Sequence, residues 1–265
     1  MSDLRDQTEV ATGYEDLLVP ALFGQWADIV LDAAQVRGSD RVLDVACGTG
    51  VLARQAVERV GPTGAIGGID PAPGMLAVAG RLAPTVAWRQ GTAESLPYAD
   101  HSFDAVVSQF GLMFFADRRK ALREMVRVLA PQGRLAVAVW DSLENIPAYA
   151  AEVALLDRIA GARAADALRA PFVLGSPKDL VTLFKGADIP SVAIATHTGT
   201  ARFPSITTMV EADLRGWLPV MGVILSEEQI QRILAEAESD LGHYVTGEGN
   251  VEFALSAHVI TGSKP

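Results

Sequence analysis

Val42-Leu43-Asp44-Val45-Ala46-Cys47-Gly48-Thr49-Gly50 decides how the rest of the chain is read. An apolar run of high β-propensity stops at Gly48-Thr49-Gly50, and the helix-compatible stretch Val51-Leu52-Ala53-Arg54-Gln55-Ala56-Val57 follows at once. This pattern predicts a strand, a tight turn and a helix start. Glycine has no Cβ to hold a ligand off the backbone. A helix N-terminus offers free N–H groups and a partial positive charge. The junction therefore suits a polar or anionic group at the carboxyl end of a parallel strand.

Working outward, periodicity and chain breakers alternate regularly. A helix is predicted over 16–34, carrying Leu17, Leu18, Leu22, Trp26, Ile29 and Val30, with Pro20 in its first turns or splitting it. Strands are predicted at 41–46, 65–69, 86–89, 103–108 and 134–140, with helices at 51–60, 73–82 and 117–129 between them. Pro131-Gln132-Gly133 is a stop signal after the last of these helices. Strands and helices at this spacing imply βαβ units and a parallel sheet, hence an α/β fold. After Trp140 the rhythm changes. One alanine-rich helix is predicted over 145–169, a segment broken by prolines and glycines over 171–190, and a sixth strand over 192–198. A helix capped by Ser226 follows over 226–241, with Glu227 and Glu228 in its first turn, and a last strand covers 252–261. About 50 residues separate the sixth and seventh strands, too many for a plain loop.

The 265 residues suffice for one large α/β domain, and 49% hydrophobic content supports a substantial core. A net charge of −10 argues against a nucleic-acid partner, which would call for a basic surface. The basic cluster Arg118-Arg119-Lys120 with Arg123 and Arg127 alternates with Leu122, Met125, Val126 and Leu129 at helical spacing, so it reads as the solvated face of an amphipathic helix. The one cysteine, Cys47, rules out an internal disulfide, and its place in the turn marks it as a packing residue rather than a nucleophile. The four histidines are scattered with no close pair, so no metal site is expected. The polar first residues resemble no signal or transit peptide. No run is long enough to span a membrane. These features lead to the expectation of a soluble, cytoplasmic protein. Oligomeric state is not legible.

Asp70 is predicted to end the second strand, about 20 residues after the glycine turn, where a carboxylate can accept hydrogen bonds from ribose hydroxyls. Dinucleotide enzymes use the same logic, so turn and acid together do not name a cofactor. Further blocks narrow the choice. They are Gly67-Gly68-Ile69-Asp70 with Pro73-Gly74-Met75-Leu76, then Gly91-Thr92-Ala93-Glu94-Ser95-Leu96-Pro97-Tyr98, then Ser102-Phe103-Asp104-Ala105-Val106, and finally Arg123 through Gly133. In this order and spacing, over about residues 36–140, the chain resembles class I S-adenosylmethionine-dependent methyltransferases, in particular the ubiquinone/menaquinone-biosynthesis-like group.

The resemblance implies a Rossmann-like, seven-stranded, mostly parallel sheet flanked by helices, its last strand antiparallel, with a helical lid. It implies one domain over 1–265, a cofactor-binding core at 36–140, and lid and substrate-binding segments at 1–35, 141–190 and 204–250. The implied cofactor is S-adenosylmethionine, with S-adenosylhomocysteine as product. Position by position, Gly48 and Gly50 would approach the methionine part, and Asp44 would orient the turn and help hold the methionyl ammonium. Asp70 would take the ribose hydroxyls and Met75 the adenine face. Thr92 and Ala93 would meet the adenine edge, while Gln109 and Phe110 would flank the methyl group. The family usually has Asp where Thr92 stands, so a weaker contact is expected there. Ala53 occupies the third glycine position of G-x-G-x-x-G, which counts against a nicotinamide-dependent oxidoreductase. A catalytically silent relative remains an alternative.

Methyl transfer from a sulfonium is an in-line displacement with a good leaving group, so alignment and exclusion of water matter most. A base helps only where the acceptor must lose a proton. Candidates are His197, His243, Tyr14 and Asp141, whereas His101 reads as exposed and His258 as structural. Acceptor-pocket candidates are Tyr14, Leu18, Phe23 and Trp26, residues 110–115, Trp140, and residues 217–225. They are largely apolar and suit a hydrophobic or aromatic small molecule accepting on O, N or C. Ser108-Gln109-Phe110-Gly111 lacks the Asn/Asp-Pro-Pro-Tyr/Phe signature of enzymes that methylate nucleobase or glutamine amino groups.

Overall fold

The computed structural model describes residues 4–264; Met1, Ser2 and Asp3 of the expected 1–35 segment, and Pro265, lie outside the described residues. Seven strands form one sheet: β1 Arg41–Val45, β2 Ala65–Asp70, β3 Ala87–Gln90, β4 Phe103–Gln109, β5 Leu129–Trp140, β6 Ala193–Phe203 and β7 Val251–Ser263. Their order is β3-β2-β1-β4-β5-β7-β6. The first five pair in parallel. β7 runs antiparallel between β5 and β6, with Trp140 opposite Ala257 and His197 on the other side of the same residue. β1 and β4 are buried along nearly their whole length, which is why they read as apolar runs rather than as alternation. The strand order reverses between β1 and β4. In an open parallel sheet the crevice for a ligand lies outside the carboxyl ends at such a point.

Helices α1 Leu4–Gly13, α2 Ala27–Ala33, α3 Val51–Val60, α4 Pro73–Leu82 and α5 Arg118–Val128 accompany the parallel strands. α6 Pro147–Ala160, α7 Ala162–Arg169 and α8 Pro177–Lys185 lie between β5 and β6. α9 Ile206–Glu211, the short α10 Leu218–Val220 and α11 Glu227–Leu241 lie between β6 and β7. α5 buries Ala121, Leu122, Met125 and Val128 and keeps its charges outward. Arg127 pairs with Glu124 and Asp100, and Arg123 with Asp188, while the Arg118 guanidinium donates to the carbonyls of Leu112 and Met113.

The structure departs from the sequence expectation chiefly in four places. The helix predicted over 16–34 is not one helix. A π-helical stretch, Tyr14–Phe23, and a 3-10 turn, Gly24–Trp26, join α1 to α2. Pro20 lies inside the π stretch, where it lacks an N–H and its ring would crowd the carbonyl four residues back in an α-helix. The wider π turn relieves that conflict, and the Gly24 N–H reaches back five residues to Val19. The predicted helix 145–169 breaks at Gly161, which takes φ of 86°. The segment 171–190 contains α8, whose Ser176 side chain accepts from the Asp179 N–H. β5 starts at Leu129 rather than Arg134: Leu129 pairs with Phe103 of β4 ahead of a shift in register, and Gln132 and Gly133 exchange backbone hydrogen bonds with Lys264. The predicted Ser226 cap is present and closes a full capping box with Gln229.

Leu122 is wholly buried, so Leu122→Ala is expected to lower the unfolding free energy by about 2–5 kcal/mol. Arg202 pairs with Glu252 at 3.5 Å with both side chains largely in solvent, and Arg202→Ala is expected to change it by less than about 1 kcal/mol. Urea unfolding of the two variants checks the contrast.

Candidate active site

Ala46, Gly48 and Gly50 all take positive φ, at 59°, 54° and 86°, and fold the chain back on itself between β1 and α3. Gly50 is required twice over: its backbone is left-handed, and a Cβ there would sit 2.4 Å from the Trp88 ring. The Cys47 N–H donates to the Ile69 carbonyl at 3.1 Å, which extends the β1–β2 ladder into the turn. Asp70 then ties two loops together. Its Oδ2 accepts from the Gly48 N–H and its Oδ1 from the Ala72 N–H, both at 2.9 Å. The second oxygen lone pairs of Asp70 stay available. Burial pushes its carboxyl above the ordinary range, and the two N–H donors partly offset this.

Asp44 is 1% exposed at the end of β1. Its Oδ2 accepts from the Ala53 N–H in the first turn of α3 at 3.1 Å, while its Oδ1 has no hydrogen-bond partner. Burial pushes this carboxyl up to about 8; the Ala53 hydrogen bond opposes the shift and nearby Asp70 adds to it. Thr49 Oγ1, Ser108 Oγ and Gln109 Oε1 are likewise buried without a partner, as is Trp26 Nε1. Unpaired buried polar atoms are costly and few in native proteins. Those of Asp44, Thr49, Ser108 and Gln109 gather at the carboxyl ends of β1 and β4, where the strand order reverses.

The crevice above the turn has a volume of about 30 Å³, with Tyr14, Phe23, Asp44, Cys47, Gly48, Thr49 and Gln109 among its lining residues. Tyr14 and Phe23 roof it from the π stretch, their rings stacked with centroids 5.3 Å apart. Burial, then Asp70, Glu15 and Asp44, all push the Tyr14 phenol upward, so it keeps its proton at neutral pH. The Gln109 amide donates to the Phe23 carbonyl at 3.1 Å. Arg54 pairs with Glu15 at 2.6 Å and donates to the Thr49 carbonyl at 2.7 Å, which joins roof, turn and α3. Behind the roof, Phe110 and Trp140 stack at 3.6 Å with planes 11° apart. Trp26 meets both edge-on and Phe23 meets both at a tilt.

The remaining candidates lie elsewhere. Met75 is half-buried in the first turn of α4, and Thr92 is exposed and Ala93 buried in the loop after β3. Glu94 braces that loop by accepting from the N–H groups of Ala116 and Asp117. Asp141 accepts from Ser142, Asn145 and Ser256 and lies 3.1 Å from His258 Nε2. Burial pushes its carboxyl up, but the hydrogen bonds outweigh this and the net shift is downward. His258 is buried between Thr196 and the Gly175 carbonyl. His197 lies within β6, and exposed His243 packs on Tyr244 in the turn after α11. Neither is among the residues lining the crevice. Ser108, Thr49 and the Arg54–Glu15 pair were not singled out by sequence reasoning. Thr49 could have been found from its place inside the glycine turn, whereas nothing local in the sequence pairs Arg54 with Glu15. Among the described residues, no cluster of His, Cys, Asp and Glu could hold a metal ion, and no helix is long and apolar enough to cross a membrane.

Comparison with known proteins adds three findings. A family model described as a methyltransferase domain matches residues 43–137. A demethylmenaquinone methyltransferase of Thermus thermophilus is 42% identical over 137 residues, 49% of this chain and 62% of that protein. A ubiquinone/menaquinone biosynthesis C-methyltransferase of Ectopseudomonas mendocina is 41% identical over 146 residues, 51% of this chain and 57% of that protein. The chain thus spans little more than half the length of these curated relatives. Haemonchus contortus phosphoethanolamine N-methyltransferase 2, solved with phosphomonomethylethanolamine and S-adenosylhomocysteine, shares the fold at a TM-score of 0.60 and 15% identity, over 100% of this chain and 61% of that one. Residues 43–137 of this chain thus match a methyltransferase domain, and the chain as a whole shares the fold of that solved structure.

Proposed function

We propose that the chain transfers a methyl group from S-adenosylmethionine to a small apolar or aromatic molecule of the quinone type. The observation that carries this reading is the set of unpartnered buried polar atoms around the glycine turn, facing the aromatic roof. These residues fit a ligand with an ammonium group, a ribose and a methyl group on a positively charged sulfur. The free Oδ1 of Asp44 would accept from the ammonium group. The spare lone pairs of Asp70 would take ribose hydroxyls, with Asp70 itself held rigid by the Gly48 and Ala72 N–H groups. The Thr49 hydroxyl would donate to the carboxylate end, and the free Gln109 Oε1, an acceptor, would face the methyl group on the sulfonium. Met75, Thr92 and Ala93 would line the adenine side, and Gly48, on the crevice lining, would let the backbone come close, while the left-handed Gly50 makes room for Trp88 behind the turn.

Bound there, S-adenosylmethionine supplies a methyl group on a positively charged sulfur. The protein contributes alignment and exclusion of water. Phe110, backed by Trp140 and Trp26, supplies a flat apolar wall beside Gln109. An acceptor ring laid along that wall would meet the methyl group in line. The relatives named for demethylmenaquinone and ubiquinone/menaquinone biosynthesis support a quinone-like acceptor. Tyr14 holds its proton and so serves as a hydrogen-bond donor rather than as a base. Segments 4–35, 141–190 and 204–250 act as the lid, and residues 36–140 as the cofactor-binding core. A crevice of about 30 Å³ holds little more than a water molecule. Cofactor entry therefore displaces the Tyr14–Phe23 roof, with the Glu15–Arg54 and Gln109–Phe23 contacts as its fastenings.

Two measurements test the reading. A proton sits on Asp44 up to about pH 8 in the free protein and must leave when a cation binds. The affinity for S-adenosylhomocysteine is therefore expected to rise with pH, by roughly tenfold per unit between pH 6 and 8, and to level off above. Asp44→Asn should flatten this profile in calorimetric titrations. Asp70→Asn should weaken the same binding by roughly 10- to 100-fold, the value of one or two charge-assisted hydrogen bonds, while the protein stays folded. No binding by the unsubstituted protein at millimolar ligand would end the proposal.

A further inference from the structure

β6 is the last strand of the sheet, and one side of it faces no other strand. Two contacts fix which backbone groups lie on that side. The Asp141 N–H donates to the Ser256 carbonyl, so Ser256 and every second residue of β7 turn toward β5. Leu255, Ala257 and Val259 therefore turn toward β6, opposite Gly199, His197 and Ala195. The N–H and C=O groups of Ile194, Thr196, Thr198 and Thr200 consequently point away from the sheet. At Thr200 this row is already answered. The Gln25 side-chain amide donates to the Thr200 carbonyl and accepts from the Thr200 N–H, both at 2.9 Å, as one rung of a neighbouring strand would. Gly199 makes room for it, since a Cβ there would sit 2.4 Å from Gln25 Oε1. Among the described residues no hydrogen bond reaches the main chain of Ile194, Thr196 or Thr198 from that side.

The free side of a strand is usually guarded by charge, proline or a bulge. Between Ala193 and Ala201 this strand has none of the three. Its sequence there holds no Lys, Arg, Asp, Glu or Pro, and its pairing with β7 runs without a shift. The guards stand at the ends, Pro190 before the strand and the Gln25 rung and Arg202 after it. The unguarded stretch is 193–199, and Thr196 is its centre. Ala193, Ala195, Thr196 and Thr198 are exposed, so the row is not sunk in a groove. A foreign peptide would find main chain alone, whereas strand-addition sites draw their specificity from flanking side-chain pockets. A second copy of β6 needs no pocket. It is already extended, so little conformational entropy is lost on pairing, and it brings no like charge to oppose its counterpart.

We propose that two copies of this chain pair antiparallel through β6, about a two-fold axis at Thr196. There each Thr196 exchanges both main-chain hydrogen bonds with its counterpart, and Ile194 does the same with Thr198 of the second copy. Threonine side by side with threonine is a favourable cross-strand neighbour. This register pairs all three free residues within β6 itself and stays clear of Gln25. An axis at Thr198 would need the Thr200 groups that Gln25 holds, and an axis at Ile194 would set Pro190, which has no N–H, opposite Thr198. A contact confined to one strand buries less than the roughly 1,200 Å² of a standard interface, so the dimer is weak and forms at about 100 µM protein.

The test uses the whole chain without cofactor or acceptor, and its outcome is independent of the methyl-transfer reading. Under mild oxidation at about 100 µM protein, Thr196→Cys should cross-link into a dimer roughly tenfold faster than Thr198→Cys. Pairing about Thr196 puts position 196 beside its counterpart and holds position 198 about 13 Å from its own, out of disulfide reach. Cys47 is buried and does not compete. Adding Thr198→Pro should abolish the cross-link. Its N–H faces away from β7, so the ladder within the chain survives, while the row loses a donor and meets a ring. In sedimentation, the mean mass of the unsubstituted protein should rise between roughly 10 and 500 µM, and Thr198→Pro should hold it at one chain. Equal or no cross-linking at the two cysteines, a mass fixed at one chain, or a rise that survives Thr198→Pro overturns the proposal. Thr196 also bonds the His258 ring at 2.9 Å, so sedimentation alone decides should Thr196→Cys fail to fold.

Discussion

One carboxylate, Asp70, receives the N–H groups of Gly48 and Ala72 and so fastens the turn after β1 to the start of α4. The site depends on this pair of hydrogen bonds. Without it the loops that leave the sheet after β1 and β2 would be free to separate. The constraint works because Asp70 is mostly buried, where hydrogen bonds to a charged acceptor are strong and poorly screened. Asp44, on the neighbouring strand, has a different role. It meets a single N–H and keeps one oxygen in reserve, so that its charge state is left to whatever binds beside it. Two acids of the same type, both at strand ends, are thus set to different tasks by the number of donors each receives.

The polar floor faces an aromatic ceiling. Phe110 and Trp140 stack at the ends of neighbouring parallel strands, and Trp26 and Phe23 close over them from the N-terminal segment. Floor and ceiling are joined by the ion pair of Arg54 with Glu15, whose side chains are each less than one-quarter exposed. Partial burial makes that pair stiffer than an exposed one, while leaving it accessible enough to break.

The parallel half of the sheet and the strand–turn–helix at residues 41–60 could be read from the sequence because their signals are local: apolar runs that end in glycine, a proline–glycine stop, an acid at the next strand end. The same holds for the Ser226 cap. The π stretch at 14–23 was not legible, since Pro20 says that an α-helix is disturbed but not which helix takes its place. The Gly161 break was missed because alanines on both sides favour a single helix. β6 runs on to Phe203, past the predicted end at 198, because an antiparallel edge strand has no glycine turn to mark where it stops. The pairings Glu15–Arg54 and Asp141–His258 join residues far apart in the chain, and tertiary packing alone brings them together.

β7 is inserted between β5 and β6, and among the described residues its stretch 251–263 supplies the only hydrogen-bonded neighbours that β6 has within the sheet. During synthesis the parallel strands can assemble as they emerge, but β6 must wait, some 50 residues of helical chain later, for a partner that has not yet left the ribosome. The latest-made strand of the seven is therefore the keystone of this wall, and a nascent chain halted before residue 251 carries an exposed ribbon edge open to pairing with the wrong neighbour.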